Sequence, residues 1–155
     1  MYRGERRSAA EVHAELGWTP LVLRPKEALA LMNGTAVMTA LACQAYSRAD
    51  YLLKLATRIT ALNVIALQGN PEHFDERLFA AKPHPGQNQV AAWIRQDLAI
   101  DAPTAPLHRL QDRYSIRCAP HVLGVLADSL GLLRQFIETE LNSANDNPLI
   151  DPDEE

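Results

Sequence analysis

Aromatic side chains are scarce in this chain: Phe, Tyr and Trp make up 6% of its 155 residues. Sheets draw on aromatic and β-branched residues, so this scarcity argues against a β architecture. Cysteine is limited to Cys43 and Cys118, far apart in the sequence. That excludes a disulfide framework and fits a reducing, cytoplasmic compartment. Positive charge is not in excess: the net charge is -4 and the pI about 5.7, which excludes a nucleic-acid polyanion as the expected partner. No uninterrupted apolar run approaches the roughly 18 residues that read as a membrane span, so no membrane partner is expected. The opening residues MYRGERRSAAEVHAELGW carry charge and no apolar stretch, so they do not read as a secretory signal.

What is abundant decides the class. The chain holds 23 Ala and 22 Leu. These are the strongest helix formers, and the expected fold is all-α, a bundle of long helices. The length suggests one domain with a core of its own.

Residues 1–24 read as an irregular opening segment that includes a short helix over 8–18. Ser8 with Glu11 three residues on forms a capping box, and Gly17 would stop the helix. Pro25 sits where the first residue of a helix over 26–32 belongs. Asn33-Gly34-Thr35 breaks the pattern, because Asn and Gly both tolerate left-handed backbone. From Thr35 to about Gln68 there is neither Pro nor Gly. Leu52, Leu55, Ala56, Ile59, Leu62 and Ile65 follow helical spacing, which predicts one long helix packed among several neighbours, with a break near Ser47–Asp50 as an alternative. Lys82-Pro83-His84-Pro85-Gly86-Gln87 reads as a loop, followed by a helix over 87–98. Residues 99–110 read as a connection. A second long helix runs over 121–142, with Val122, Val125, Leu126, Ser129, Leu133, Phe136, Ile137 and Leu141 as its inward stripe. Residues 143–155 form a turn-rich acidic tail.

Three clusters could carry chemistry. Asn33-Gly34-Thr35 is either a helix cap or a buried amide with several hydrogen bonds to satisfy. Gln111-Asp112-Arg113-Tyr114-Ser115-Ile116-Arg117 packs an amide, a phenol, a carboxylate and two guanidiniums beside an apolar helix. It is either a salt-bridged turn or a site in which an arginine fork holds a substrate carboxylate and a phenol moves a proton. His84, between prolines, reads as a loop residue. Cys118-x-x-His121 has metal-like spacing but no second pair, so no metal is expected.

Four stretches carry a family resemblance: LRPKEALALMNGTAVMTALA (23–42), KPHPGQ (82–87), QDRYSIRCAPHVLG (111–124) and ELNSANDNPLID (140–151). In this order they resemble the aromatic amino-acid ammonia-lyases and 2,3-aminomutases, which act on histidine, phenylalanine or tyrosine. QDRYSIR with NDNPLID leans toward the phenylalanine and tyrosine branch. The resemblance covers the whole chain and a middle portion of the much longer family members. It implies part of a central helical domain, a homotetramer with composite active sites, and an aromatic amino-acid substrate. It also implies the electrophile 4-methylideneimidazol-5-one, formed from an internal Ala-Ser-Gly. By resemblance, Asn33 lies near the electrophile and the substrate amine, Gln111 and Tyr114 line the same pocket, and Arg117 holds the substrate carboxylate.

One departure stands out. None of the seven glycines follows a serine, so the electrophile cannot form within these residues. The expected function is part of an ammonia-lyase releasing ammonia and an α,β-unsaturated acid, with the chain alone inactive. The alternatives are an aminomutase of the same family and a non-catalytic, oligomerising helical module.

Overall fold

The computed structural model describes residues 1–101 and 110–145, with the backbone alone for residues 100 and 101. Among these residues the regular structure is helical, apart from an isolated bridge between Tyr2 and Glu5. The chain divides into two compact units, one formed by Met1–Val37 with Ala144 and Asn145, the other by Met38–Ser143. The length had suggested one domain.

In the first unit, helix α1 spans Ala9–Leu16 inside the 1–24 segment. The Ser8 hydroxyl accepts from the Glu11 N–H, and the Glu11 carboxylate accepts from the Ser8 N–H, each at 3.2 Å. This reciprocal cap satisfies two of the donors that a helix start leaves unpaired. Gly17 ends α1 in the left-handed region at φ 67°. Both features follow the sequence reading.

Helix α2 spans Glu27–Met32, and Lys26, at φ 70°, precedes it. Pro25 is therefore not the first helical residue. The Glu27 carboxylate reaches back to the Arg24 N–H at 2.6 Å and takes over the start of the helix. Asn33 closes α2 in right-handed backbone. Gly34 is required for a different reason than its handedness. A Cβ there would lie 2.5 Å from the Ala30 carbonyl oxygen.

Helix α3 runs unbroken over Ala36–Ala66, about 46 Å long at 1.5 Å per residue. The alternative break at 47–50 does not occur, and Asp50 and Lys54 pair across that turn at 2.7 Å. Its buried positions include Leu53, Thr57, Ala61 and Val64, one narrow stripe. Thr57 satisfies its buried hydroxyl on the Leu53 carbonyl at 2.8 Å. Leu52, Leu55, Ile59 and Leu62 are exposed, so within the described residues α3 has neighbours on one side, not several.

A 3-10 turn over Pro71–Phe74 leads into α4 (Glu76–Ala80) and α5 (Pro85–Asp101). The predicted loop at 82–87 is shorter than expected, because Pro85 and Gly86 already belong to α5. Pro85 costs nothing there, since the first helical N–H has no partner in any helix. A short α6 (Tyr114–Arg117) precedes α7 (Ala119–Leu141). Phe74, Val64, Val90 and Ile94 form the centre of the second unit's core, joined by Leu53, Leu98, Ile116 and Leu130.

The inward stripe of α7 keeps the predicted Leu126, which packs partly buried against the core, but shifts away from most of the other predicted positions. Pro120, Gly124 and Leu130 are buried, with Leu123 and Ala127 partly so, whereas Val122, Val125, Leu133, Phe136 and Leu141 are exposed. Apolar residues occupy both sides of α7, so periodicity alone could not choose between them. The choice is made by Gly124, the only residue type small enough to let α5 approach. A Cβ on Gly124 would lie 2.6 Å from the Gln87 nitrogen, and one on Gly86 would lie 2.2 Å from the Gly124 carbonyl oxygen. The Asp128 carboxylate accepts from the Gly86 N–H at 2.6 Å and caps α5 at this crossing.

The stretches 27–66 and 114–141 are long and apolar enough to cross a bilayer by length and composition, at a mean hydropathy of 1.3 over their best windows. A search for uninterrupted runs passes over these stretches, since averaging absorbs one or two charges. Core helices of soluble proteins pass the same test.

Candidate functional site

The site-bearing segment 111–117 is held against the end of α3 by backbone and side-chain hydrogen bonds. Gln68 takes the left-handed position that closes α3, at φ 51°. The Gly69 N–H then donates back to the Val64 carbonyl at 2.8 Å. Gly69 has no room for a side chain, because a Cβ would lie 2.8 Å from Asp112 Oδ2. The same Oδ2 accepts from the Asn70 N–H at 2.7 Å. Asn70 is itself buried, and its side-chain oxygen accepts from the Glu72 N–H at 2.9 Å to start the 3-10 turn. That turn presents His73, whose Nε2 accepts from the Asp112 N–H at 3.1 Å.

Asp112 thus serves as an anchor, with its side chain 10% exposed. Its carbonyl accepts from Arg117 Nε at 3.1 Å. The Arg117 guanidinium carbon lies 4.5 Å from the centre of the Tyr114 ring, a cation–π stack. Among the described residues, hydrogen bonding of the Arg117 side chain is confined to Nε. Neither terminal nitrogen has a hydrogen-bond partner among the described residues, and the two form the fork that matches a carboxylate. Tyr114 is 72% exposed and Gln111 is also exposed. The structure therefore brings Tyr114 and Arg117 together on α6, whereas Gln111 precedes that helix. Asn33 lies in the first unit, exposed, with its N–H donated to the Leu29 carbonyl at 2.8 Å. It is not the buried amide that was one reading of its position.

His73 and the anchoring role of Asp112 escaped the sequence reading. They are separated by 39 residues, and no local spacing links them. Asp112 had been grouped with the charged side chains of the turn, whereas its carboxylate faces inward.

A second polar cluster sits where α5 meets α7. Gln87 Oε1 and His121 Nδ1 are buried without a hydrogen-bond partner. The His121 ring lies 5.2 Å from that of Phe79, so it opens α7 as a packed ring. Among the described residues no group of three His, Cys, Asp or Glu side chains could hold a metal. The resolved electrostatic shifts lie in exposed pairs. Arg77 holds the Asp75 carboxyl below its ordinary value through a side-chain hydrogen bond. Asp75 also caps α4 through the Arg77 N–H at 2.8 Å. Its contribution is complete above the ordinary carboxylate range and is lost as pH falls through the depressed value.

A family model described as aromatic amino acid lyase matches residues 1–155. The chain belongs to this family. It is 42% identical over 155 residues to a histidine ammonia-lyase of Koribacter versatilis, covering 98% of this chain and 30% of that protein. It is 43% identical over 152 residues to the histidine ammonia-lyase of Geobacillus kaustophilus, covering 97% and 30%. Among solved structures, it is similar to the tyrosine aminomutase of Streptomyces globisporus at a TM-score of 0.76 and 36% identity, over all of this chain and 34% of that one. It is also similar to the phenylalanine ammonia lyase of Rhodosporidium toruloides, at a TM-score of 0.76 and 39% identity, over 92% and 22%. The chain spans about a third or less of the relatives it matches. The all-α aromatic lyase fold follows from these similarities. Relatives named for all three amino acids lie within a narrow band of identity, so the lean toward phenylalanine and tyrosine gains no support.

Proposed function

We propose that this chain provides the carboxylate-binding part of an ammonia-lyase site for an aromatic L-amino acid: histidine, phenylalanine or tyrosine. Arg117 holds the substrate carboxylate through its terminal nitrogens. Tyr114, stacked on the guanidinium, offers a phenol that can pass a proton, and Gln111, assigned by family resemblance, offers an amide. Asn33 is assigned to the substrate amine by family resemblance. The observation that carries the reading is the state of Arg117: Nε is tied to the Asp112 carbonyl and the ring of Tyr114 lies beneath it. A guanidinium fixed in this way presents its fork at little entropic cost.

The family's electrophile, 4-methylideneimidazol-5-one, supplies the acceptor that makes the substrate's β-proton removable. It does not fit the residues present. Ser8, Ser47, Ser115, Ser129 and Ser143 are followed by Ala, Arg, Ile, Leu and Ala, so no Ala-Ser-Gly exists to form it. These 155 residues bind and orient, and they do not complete the elimination alone. An aminomutase would use the same clamp. The exposed apolar faces of α3 and α7 support self-association, in which such faces are covered. The unpaired Cys43 and Cys118 fit a cytoplasmic setting.

Equilibrium binding of cinnamate, the unsaturated acid that a phenylalanine lyase would release, tests the reading. Arg117→Ala removes charge-assisted hydrogen bonds worth about 1.5–3 kcal/mol, so affinity should fall roughly tenfold to a hundredfold. Arg117→Lys should recover only part, since a point charge cannot replace the fork. Equal affinity of the wild type and Arg117→Ala, or growth of cinnamate absorbance when the chain is given phenylalanine, would contradict it.

A further inference from the structure

We infer that His73 is a positioning residue for Arg117 and acts through the backbone of Asp112. The inference deepens the carboxylate-site reading and rests on it for its functional meaning. The geometry runs in one line. His73 Nε2 accepts from the Asp112 N–H at 3.1 Å. The Asn70 N–H fixes the Asp112 carboxylate at 2.7 Å. Held at both its amide and its side chain by the turn at 70–73, Asp112 has one backbone orientation, and its carbonyl points at Arg117 Nε at 3.1 Å.

Rotation of the 111–112 segment would move that carbonyl and release the guanidinium. The Asn70 contact alone leaves such a rotation open, because a carboxylate can follow a single donor by turning about its own bonds. The His73 contact closes it, because it grips the backbone amide itself. His73 is well placed to do so: its side chain is 17% exposed, and its ring is carried by a turn capped by Asn70 and started by Pro71. An accepting Nε2 requires the neutral tautomer with the proton on Nδ1. The Asp112 carboxylate, 3.8 Å from Nε2, makes no hydrogen bond to the ring.

The first test needs no substitution. The nitrogen spectrum of the histidines in the wild-type chain should show His73 as the Nδ1–H tautomer, and an Nε2–H tautomer overturns the inference. The second follows the Arg117 Nε–H signal, which should be resolved and slow to exchange in the wild type. His73→Leu should speed its exchange at least tenfold. His73→Gln, whose amide oxygen reaches the place of Nε2, should restore it, and the shorter His73→Asn should not. Unchanged exchange in a folded His73→Leu or His73→Asn chain overturns the inference.

Cinnamate binding separates this inference from the site reading beneath it. His73→Leu should weaken cinnamate about tenfold in the wild type and leave Arg117→Ala unaffected, because a residue acting through Arg117 has nothing left to act on. Equal losses in both backgrounds would mark His73 as merely structural. Indifference of cinnamate to Arg117→Ala, with the Nε–H signal still following His73, would sink the site reading and leave the positioning intact.

Discussion

Gly86→Ala should cost the second unit about 2 kcal/mol in urea unfolding, and Gly124→Ala a similar amount. The added Cβ of residue 86 would meet the Gly124 carbonyl oxygen at 2.2 Å, and that of residue 124 would meet the Gln87 nitrogen at 2.6 Å. Both obstacles are backbone and cannot rotate aside, so α5 and α7 must separate. Overpacking of this kind costs about 1–3 kcal/mol, and separation also stretches the Asp128 cap on Gly86. Alanine's helix propensity opposes this by only about 1 kcal/mol, so the clash wins. Gly131 is the internal control. It lies in the same helix as Gly124, and a Cβ there meets nothing within 4 Å. Gly131→Ala should therefore raise stability by up to about 1 kcal/mol. Urea midpoints that move the same way for Gly124→Ala and Gly131→Ala would remove the glycine crossing from the account.

Asp112→Ala should lower stability by about 2–3 kcal/mol. The change removes the acceptor for the Asn70 N–H, and Asn70 is 8% exposed. A buried donor left unpaired costs about 1–3 kcal/mol. The space vacated by the carboxylate lies against Gly69, which has no side chain to refill it, and that places the cost toward the upper end. Asp112→Asn keeps an oxygen for the Asn70 N–H and should cost about 1 kcal/mol, the difference between a charged and a neutral acceptor. Hydrogen exchange at the Asn70 amide reads the effect at its source. Retained protection in Asp112→Ala would show that another group supports this turn.

The parts of this fold that were legible in the sequence are those whose causes are local. The Ser8–Glu11 cap and Gly17 act within four residues of the helix ends they set, and α1 has the expected bounds. The absence of Pro and Gly from 36–66 was enough to give α3 its unbroken length. The side each long helix buries was not legible, because α3 and α7 are apolar on more than one face. Val125 and Phe136 fit the period as well as Leu123 and Leu130 do. What separates them is Gly124 meeting Gly86, a contact between residues 38 apart that no window contains. The site divides in the same way. The proximity of Tyr114 and Arg117 was readable because they are three residues apart on α6. The anchoring by His73 and Asn70 reaches across 39 and 42 residues, and only the folded chain brings these groups together.

The Arg117 guanidinium is held by its Nε, and its fork has no hydrogen-bond partner among the described residues. Nitrogen chemical shifts of the arginine side chains, followed as cinnamate is added to the 155-residue chain, test this most directly. The terminal nitrogens of Arg117 should move and saturate while its Nε–H stays slow to exchange. The uncharged cinnamyl alcohol should move neither. Terminal nitrogens unmoved by millimolar cinnamate, or moved equally by the alcohol, would contradict the assignment of Arg117 as the carboxylate clamp.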